Sequence, residues 1–298
     1  MRRKSLMLMA MNPILQDARE KRYGVAAPGV NDMQTVSAVF QAARDLRAPI
    51  ILDCVEMNDI EAVADIAKFF AARYPEVPAA LNLDHGRSFD VCARAIRAGF
   101  TSVMIDCSKL PFEENAQITA EVVKMAHAAG VSVEAELGRV GSAQNYAEDR
   151  TAPLTDPSEA VEFAKRTSVD CLAVAVGTAH GLYEGETPEL DFDRLAELRE
   201  VVPIPLVLHG GSSTGDDKLA LAVKTGISKI NLFSDLSSAG TNAIRSLLAS
   251  GKTTALGFLP LGMVYGAGIE AYKQVVMDYI EVFGSRGVLD ASKKTFIS

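Results

Sequence analysis

Short stretches that are apolar at consecutive positions alternate along the chain with longer ones in which apolar residues recur every three or four positions. The short stretches predict eight strands: GVAAPGV from Gly24, PIILDCV from Pro49, AALNLDH from Ala79, SVMIDC from Ser102, SVEAELG from Ser132, CLAVAVG from Cys171, PLVLHG from Pro205 and KINLFSD from Lys229. The longer ones predict helices over Met33 to Leu46, Ile60 to Arg73, Phe89 to Ala98, Glu113 to Ala129, Pro157 to Arg166, Asp191 to Glu200, Asp216 to Thr225 and Leu236 to Ala249. Asp156 ahead of Pro157 supplies an N-cap and a proline suited to a first helical position, and Gly99, Gly130 and Gly226 stand where helices should stop.

Strands that are apolar on both faces belong in a parallel sheet covered by helices. Eight strand-helix units in 298 residues favour an α/β fold of one kind, a closed (β/α)8 TIM barrel. One junction recurs: AIRAGFTSVMI from Ala95 resembles AVKTGISKINL from Ala222, each a helix end, a glycine and a buried strand. No glycine-, serine- or proline-rich linker divides the chain. The expectation is a single domain over residues 1–298, with a C-terminal helical extension from about Val264 whose helix runs from Ile269 to Phe283.

Composition narrows the function classes. The hydrophobic content of 48% supports a large core, and the net charge of −8 comes without a block of lysine or arginine, which argues against a nucleic-acid partner. Nothing reaches the roughly 18 uninterrupted apolar residues of a membrane span. Cys54, Cys92, Cys107 and Cys171 sit singly in apolar segments, as reduced core residues of a cytoplasmic protein would. The start mimics a signal peptide with its basic tip and apolar run, but Asn12-Pro13 breaks the run and no small-x-small cleavage site follows. A short amphipathic helix covering one end of the domain is expected there instead.

In such a barrel the chemistry collects at the C-terminal ends of the strands. Strand 3 ends in Asp84-His85, strand 4 in Asp106 with Ser108 beyond, and strand 5 carries Glu134 and Glu136. Strand 6 leads to His180, strand 7 ends in His209, and strand 8 carries Asn231, Ser234 and Asp235. Of the four histidines in the chain, three lie at these ends, and the fourth, His127, falls in a helix and reads as structural. Three imidazoles converging on one mouth with a fourth position open form the ligand set of a catalytic zinc ion. Glu134 and Asp235 read equally well as hydrogen-bonded barrel residues. After strands 7 and 8, LHGGSS at 208–213 and INLFSD at 230–235 offer backbone amides for a phosphate, glycine allowing close approach.

With these motifs in order, the chain resembles the class II, metal-dependent ketose-bisphosphate aldolases, and the tagatose-bisphosphate branch most closely. The resemblance rests on YGVAAPGVN, LNLDHG, GFTSVMID, VEAELG, GTAHGLY, PLVLHGGSS and GISKIN, and covers nearly the whole length. It implies that His85, His180 and His209 are the zinc ligands, that Asp84 is the proton-transfer acid, and that Glu136 lies beside the metal with Asp106 and Ser108 behind it. It further implies that Gly181, Gly210, Gly211, Ser212 and Ser234 hold the phosphate of dihydroxyacetone phosphate and that Asn231 contacts the enediolate carbons. Zinc, one ion per subunit, is the implied cofactor, with an accompanying monovalent cation left open.

Departures from the family pattern cluster on the aldehyde side. Val55 stands where a serine or threonine helps hold the second phosphate, and Met277 falls in the region of a clamping arginine, within VVMDY. Glu184 replaces a lysine, Gly29 an asparagine, and Asp53 and Glu56 add negative charge at the tip of strand 2. Asp53, Val55 and Met277 are therefore the aldehyde-pocket candidates, although Glu56 reads as a solvated rim charge. In the loop after strand 5, Gln144-Asn145 occupy the place of a family acidic pair, which Glu148-Asp149 could supply in another register.

Losing a hydroxyl and a bidentate arginine disfavours a second phosphate. The expected reaction is thus reversible cleavage of a ketose 1-phosphate to dihydroxyacetone phosphate and an unphosphorylated aldehyde. The alternatives are a fructose or tagatose 1,6-bisphosphate aldolase, a zinc hydrolase or isomerase on the same barrel, and a non-catalytic homologue. The expected partners are a small sugar phosphate and further copies of the chain, as a homodimer or homotetramer, with no nucleic acid and no membrane.

Overall fold

The structure, a computed structural model, describes residues 8–145, 153–183 and 187–289. Eight parallel strands form the barrel: β1 (Val25–Pro28), β2 (Ile50–Val55), β3 (Ala79–Gly86), β4 (Ser102–Ile105), β5 (Ser132–Leu137), β6 (Cys171–Val174), β7 (Leu206–Leu208) and β8 (Ile227–Leu232). They pair in the order β1-β8-β7-β6-β5-β4-β3-β2. The seam between β1 and β2 is closed by a parallel bridge of Gly29 with Asp53 and by the Val30 amide donating to the Asp53 carbonyl at 2.7 Å. The helices are α1 (Met11–Lys21), α2 (Met33–Leu46), α3 (Ile60–Arg73), α4 (Phe89–Ala98), α5 (Phe112–Ala128), α6 (Pro157–Thr167), α7 (Phe192–Val201), α8 (Asp216–Thr225), α9 (Ser234–Ala249) and α10 (Leu261–Val282). This is the (β/α)8 TIM barrel with a helical C-terminal extension that the apolar pattern predicts.

Alternation along each strand separates two cores. Outward residues such as Leu52, Leu81, Val133, Leu172, Leu208 and Ile230 pack beneath the surrounding helices. Inward residues low in the barrel, among them Val25, Ile51, Ala80, Cys171, Ala173 and Val207, meet Met11, Ile14, Leu15 and Ala18 of α1, which closes the N-terminal end. Asn12 fastens this plug: its amide donates to Ser132 Oγ at 3.0 Å and its side chain to Asp170 at 3.0 Å. Higher in the barrel the inward positions turn polar, with Asp53, Asn82, Glu134, Glu136 and Lys229 buried. The fold thus seals one end with hydrocarbon and loads the other with charge.

The extension departs from the expected boundaries. Its helix begins at Leu261, eight residues before Ile269, although Gly262, Gly266 and Gly268 weaken helical propensity there. Packing supplies the reason. The helix lies against α9 so closely that a Cβ on Gly268 would meet Ile244 Cδ1 at 2.8 Å, and Gly240 faces the Gly268 carbonyl. The glycines permit a backbone approach that larger residues would block.

Candidate active site

The strand ends bring three imidazoles together. His85 Nε2 lies 3.2 Å from His180 Nε2 and 3.1 Å from His209 Nδ1, and the last two nitrogens are 3.4 Å apart. Tetrahedral coordination at about 2.0–2.1 Å per nitrogen requires donor atoms roughly 3.3 Å from one another, so the triangle fits a four-coordinate ion with one position open. Glu136 supplies a second indication. It is 2% exposed, its Oε2 has no hydrogen-bond partner, and that oxygen lies 3.9 Å from His209 Nδ1. His85, Asp106 and Glu136 also converge as a group able to hold an ion, overlapping the first. The donors suit a metal cation.

Each ring is aimed by a partner behind it. Asp106 Oδ2 accepts from His85 Nδ1 at 2.8 Å, and Glu134 Oε1 accepts from His209 Nε2 at 2.9 Å. His85 therefore presents Nε2 to the site and His209 presents Nδ1. Asp106 is itself held by the Ser108 hydroxyl at 2.7 Å and the Ser108 amide at 3.1 Å. His180 belongs to a short parallel pairing of Ala179–His180 with Gly141–Ser142 that ties the loops after β5 and β6.

Successive strand residues point to opposite sides, yet Asp84 and His85 both reach the mouth. The backbone explains it: His85 adopts φ 50°, and the β3–β4 register shifts between Leu83 and Gly86. A left-handed non-glycine residue inside a bulge re-aims the imidazole while Asp84 stays in the inward series.

Burial and neighbouring charges shift two of the rings in opposite directions. Burial opposes a charge on His85, but Asp84, the Asp106 hydrogen bond and Glu136 outweigh it and push its pKa up to about 10. Burial together with the two neighbouring imidazoles drives His180 down to about 3. Burial also opposes ionisation of Asp106, yet the hydrogen bonds from His85 and Ser108 hold it well below the carboxylate range. In Glu136, burial raises the pKa.

A cavity of about 330 Å³ opens beside the imidazoles, lined by Asp84, His85, His180, Gly181, Gly210, Ser212, Asn231 and Ser234. Asn231 Nδ2 donates to Asp84 Oδ1 at 3.0 Å, leaving the other carboxylate oxygen for a ligand. Gly210 takes φ 70°, and a Cβ there would stand 2.3 Å from the Ala179 carbonyl, so only glycine fits. Gly211 is not on the lining. Its amide donates to the Asn231 carbonyl at 3.1 Å and it packs on Ile230, which makes it a fastening of β7 to β8. Ser213 is held by Asp235, which also accepts from Tyr279 Oη.

The aldehyde-side candidates separate. Val55 lines the cavity, with Met57 and Asn58. Asp53 forms part of its floor, but its carboxylate is engaged by Asn82 Nδ2 at 2.9 Å and by Lys229 Nζ at 3.2 Å. Met277 does not reach the site: on α10 it packs against the hydrophobic core. The family resemblance pointed to it as a pocket residue, whereas the rotation of α10 sets its side chain against the core. Glu148, Asp149 and Glu184 lie outside the described residues. A second cavity, about 510 Å³, adjoins the far side of His85 and includes Glu56, Arg87, Lys109 and Arg139 on its wall. His127 pairs with Asp170 at 2.8 Å, away from the mouth.

Lys229 and Asn82 are the buried participants that sequence reasoning passed over. For Lys229 a signal existed: a lysine inside the apolar run ISKINL has no solvent to reach and must meet a carboxylate.

Three imidazoles at coordination spacing and a carboxylate at the mouth of a (β/α)8 barrel form a site able to hold a metal ion, and comparison with known proteins places the chain among the class II aldolases. The family model described as "Fructose-bisphosphate aldolase class-II" matches residues 9–288. A fructose-bisphosphate aldolase of Geobacillus stearothermophilus is 40% identical over 286 residues, covering 94% of this chain and 98% of the relative. A probable fructose-bisphosphate aldolase of Bacillus subtilis is 39% identical, covering 93% and 98%. Among solved structures, the YdjI aldolase from Escherichia coli K12 superposes with a TM-score of 0.84 at 32% identity, covering 95% of this chain and 100% of that one. The chain belongs to the class II fructose-bisphosphate aldolase family.

Proposed function

We propose that the chain catalyses the reversible retro-aldol cleavage of a ketose phosphate to dihydroxyacetone phosphate and an aldehyde, with zinc held by His85, His180 and His209. The observation that carries this reading is the imidazole triangle, with sides of 3.1 to 3.4 Å, next to Asp84 in the same cavity. Zinc, when bound, supplies the Lewis-acid charge that stabilises the electrons left on the ketone fragment as the carbon-carbon bond breaks.

The protein's own groups carry the bond-breaking step as far as the enediolate, which becomes dihydroxyacetone phosphate on gaining a proton. The Asp84 carboxylate takes the proton from the hydroxyl on the carbon that becomes the aldehyde, and in condensation returns it. Asn231 keeps that carboxylate turned to the cavity by donating to its Oδ1. Gly181, Gly210, Ser212 and Ser234 receive the phosphate of the three-carbon fragment, the glycines allowing close backbone approach. Asp106 and Glu134 hold the rings of His85 and His209 in orientation before substrate binds.

On the second phosphate, the names of the relatives support a ketose 1,6-bisphosphate of the fructose type. Arg87, Lys109 and Arg139 around the adjoining cavity are compatible with it. A specific observation favours a second reading, a ketose 1-phosphate: the cavity wall near Asp84 includes Val55, Met57, Asn58 and Asp53, and among the described residues that line this cavity there is no lysine or arginine. Zinc-loaded protein incubated with dihydroxyacetone phosphate and matched phosphorylated and unphosphorylated aldehydes tests both. Condensation with either supports the aldolase reading, the preferred aldehyde chooses between the substrates, and no product with any aldehyde overturns it.

A further inference from the structure

Lys229 is fully buried on β8, between the two halves of the site. Its ammonium lies 2.8 Å from Glu134 Oε2, 2.8 Å from Asn231 Oδ1 and 3.2 Å from Asp53 Oδ2. An ammonium has three donors and no acceptor; here two hydrogen bonds go to Glu134 and Asn231, and Asp53 Oδ2 adds an ion-pair contact without a hydrogen bond. The contacts continue outward on both sides. The other oxygen of Glu134 accepts from His209 Nε2, and the amide nitrogen of Asn231 donates to Asp84. An unbroken chain therefore runs from Asp84 through Asn231, Lys229 and Glu134 to His209.

Each link restricts its neighbour. A carboxamide can face either way, but an ammonium tolerates only its oxygen, so Lys229 forces the Asn231 NH2 toward Asp84. A buried carboxylate needs its charge compensated, and with Lys229 on one oxygen Glu134 keeps the other for the His209 N–H. That bond selects the tautomer in which His209 Nδ1 carries the lone pair facing the other imidazoles. Stability alone gives no reason for such an arrangement, because buried ion pairs can often be replaced by apolar residues without loss to the fold.

We propose that Lys229 is a positioning residue that orients both the metal ligand His209, through Glu134, and the proton-transfer carboxylate Asp84, through Asn231. The Asp84 half rests on the aldolase reading, and the His209 half does not. Lys229 touches no substrate. It fixes the relative placement of the metal site and the acid from one atom.

The test pairs Lys229→Met with Asp53→Asn, which removes one ammonium and one carboxylate and so leaves the buried net charge unchanged. Zinc affinity, measured by competition with a chelator, is expected to weaken roughly 10- to 100-fold. kcat is expected to fall by roughly 10-fold or more relative to Asp53→Asn alone, with KM for the ketose phosphate nearly unchanged. A merely structural lysine would lower thermal stability and leave both zinc affinity and kcat at the values of Asp53→Asn alone, and a folded double variant behaving so overturns the proposal. If the double variant does not fold, Glu134→Gln decides: zinc affinity indistinguishable from the parent overturns the His209 half. The zinc measurements need no substrate, so they remain decisive even if every ketose phosphate proves inert.

Discussion

Asp106 Oδ2 sits 2.8 Å from Nδ1 of His85, and that contact determines which nitrogen of the ring looks into the barrel mouth. Since the Ser108 hydroxyl and amide hold the other oxygen of Asp106, the imidazole is fixed from two residues away. Glu134 does the equivalent for His209 from the opposite side. Asp106→Asn is therefore expected to weaken zinc binding roughly 10- to 100-fold, read by chelator competition, while leaving the melting temperature of the metal-free protein within a few degrees.

Asp84→Ala should abolish cleavage and retain zinc. Asp84 lies 3.9 Å from His85 Nε2, close to the site but outside the imidazole triangle. The loss expected for removing a positioned acid-base group is on the order of 10²- to 10⁴-fold in kcat. Metal content by elemental analysis alongside the cleavage rate checks it. Loss of zinc in step with activity would move Asp84 from proton transfer to metal binding.

Gly210→Ala should be costly to stability. At φ 70° a side chain is strained, and the new Cβ would stand 2.3 Å from the Ala179 carbonyl, so the loop after β6 must shift. Left-handed strain of roughly 1–2 kcal/mol adds to overpacking of about 1–3 kcal/mol. Denaturant titration measures the sum. Because Gly210 lines the cavity, KM for the phosphorylated fragment should rise as well.

Leu15→Ala probes the plug. Leu15 is fully buried beneath the barrel, and its truncation should cost about 2–5 kcal/mol. Zinc affinity should not change, as the metal site lies at the other end of the strands. A changed affinity would mean that the plug and the mouth are coupled.

A pH effect is expected where the extension meets α2. Lys273 Nζ pairs with Asp45 Oδ2 at 2.7 Å. Burial opposes the Asp45 charge, yet the hydrogen bonds from Lys273 and Arg44 hold its pKa below the usual value. A carboxyl depressed on folding contributes stability that is present above its unfolded pKa of about 3.9 and disappears as pH falls through the folded value. Lys273→Met should destabilise the protein at pH 7 by no more than about 1 kcal/mol, because Asp45 is partly exposed and screened. That difference should vanish in acid, as thermal unfolding of both proteins across pH 2 to 7 would reveal.

How far the chain was legible follows from range. Period-2 and period-3.6 patterns, capping residues and glycine stops are local, so the eight strands, their helices and the fold were all readable in order. So was the collection of His85, His180, His209 and Asp84 at strand ends, since a barrel puts those ends on one face. The start of α10 was not, because three glycines argue against a helix until the close backbone approach to α9 is known. Met277 was misplaced for a related reason: position along a helix does not say which face meets the site.

LNLDHG illustrates the division. By itself the sequence determined that an acid and an imidazole end a strand at the reactive face. Only the tertiary structure decided how both reach the mouth, through the left-handed His85 in a bulge, and which ring nitrogens face inward, through carboxylates on other strands. It also joined Lys229 to both halves of the site across 95 residues of separation from Glu134. Periodicity and residue type are inscribed in neighbouring letters, whereas the direction of a lone pair is set by groups that only the closed barrel brings within hydrogen-bond reach.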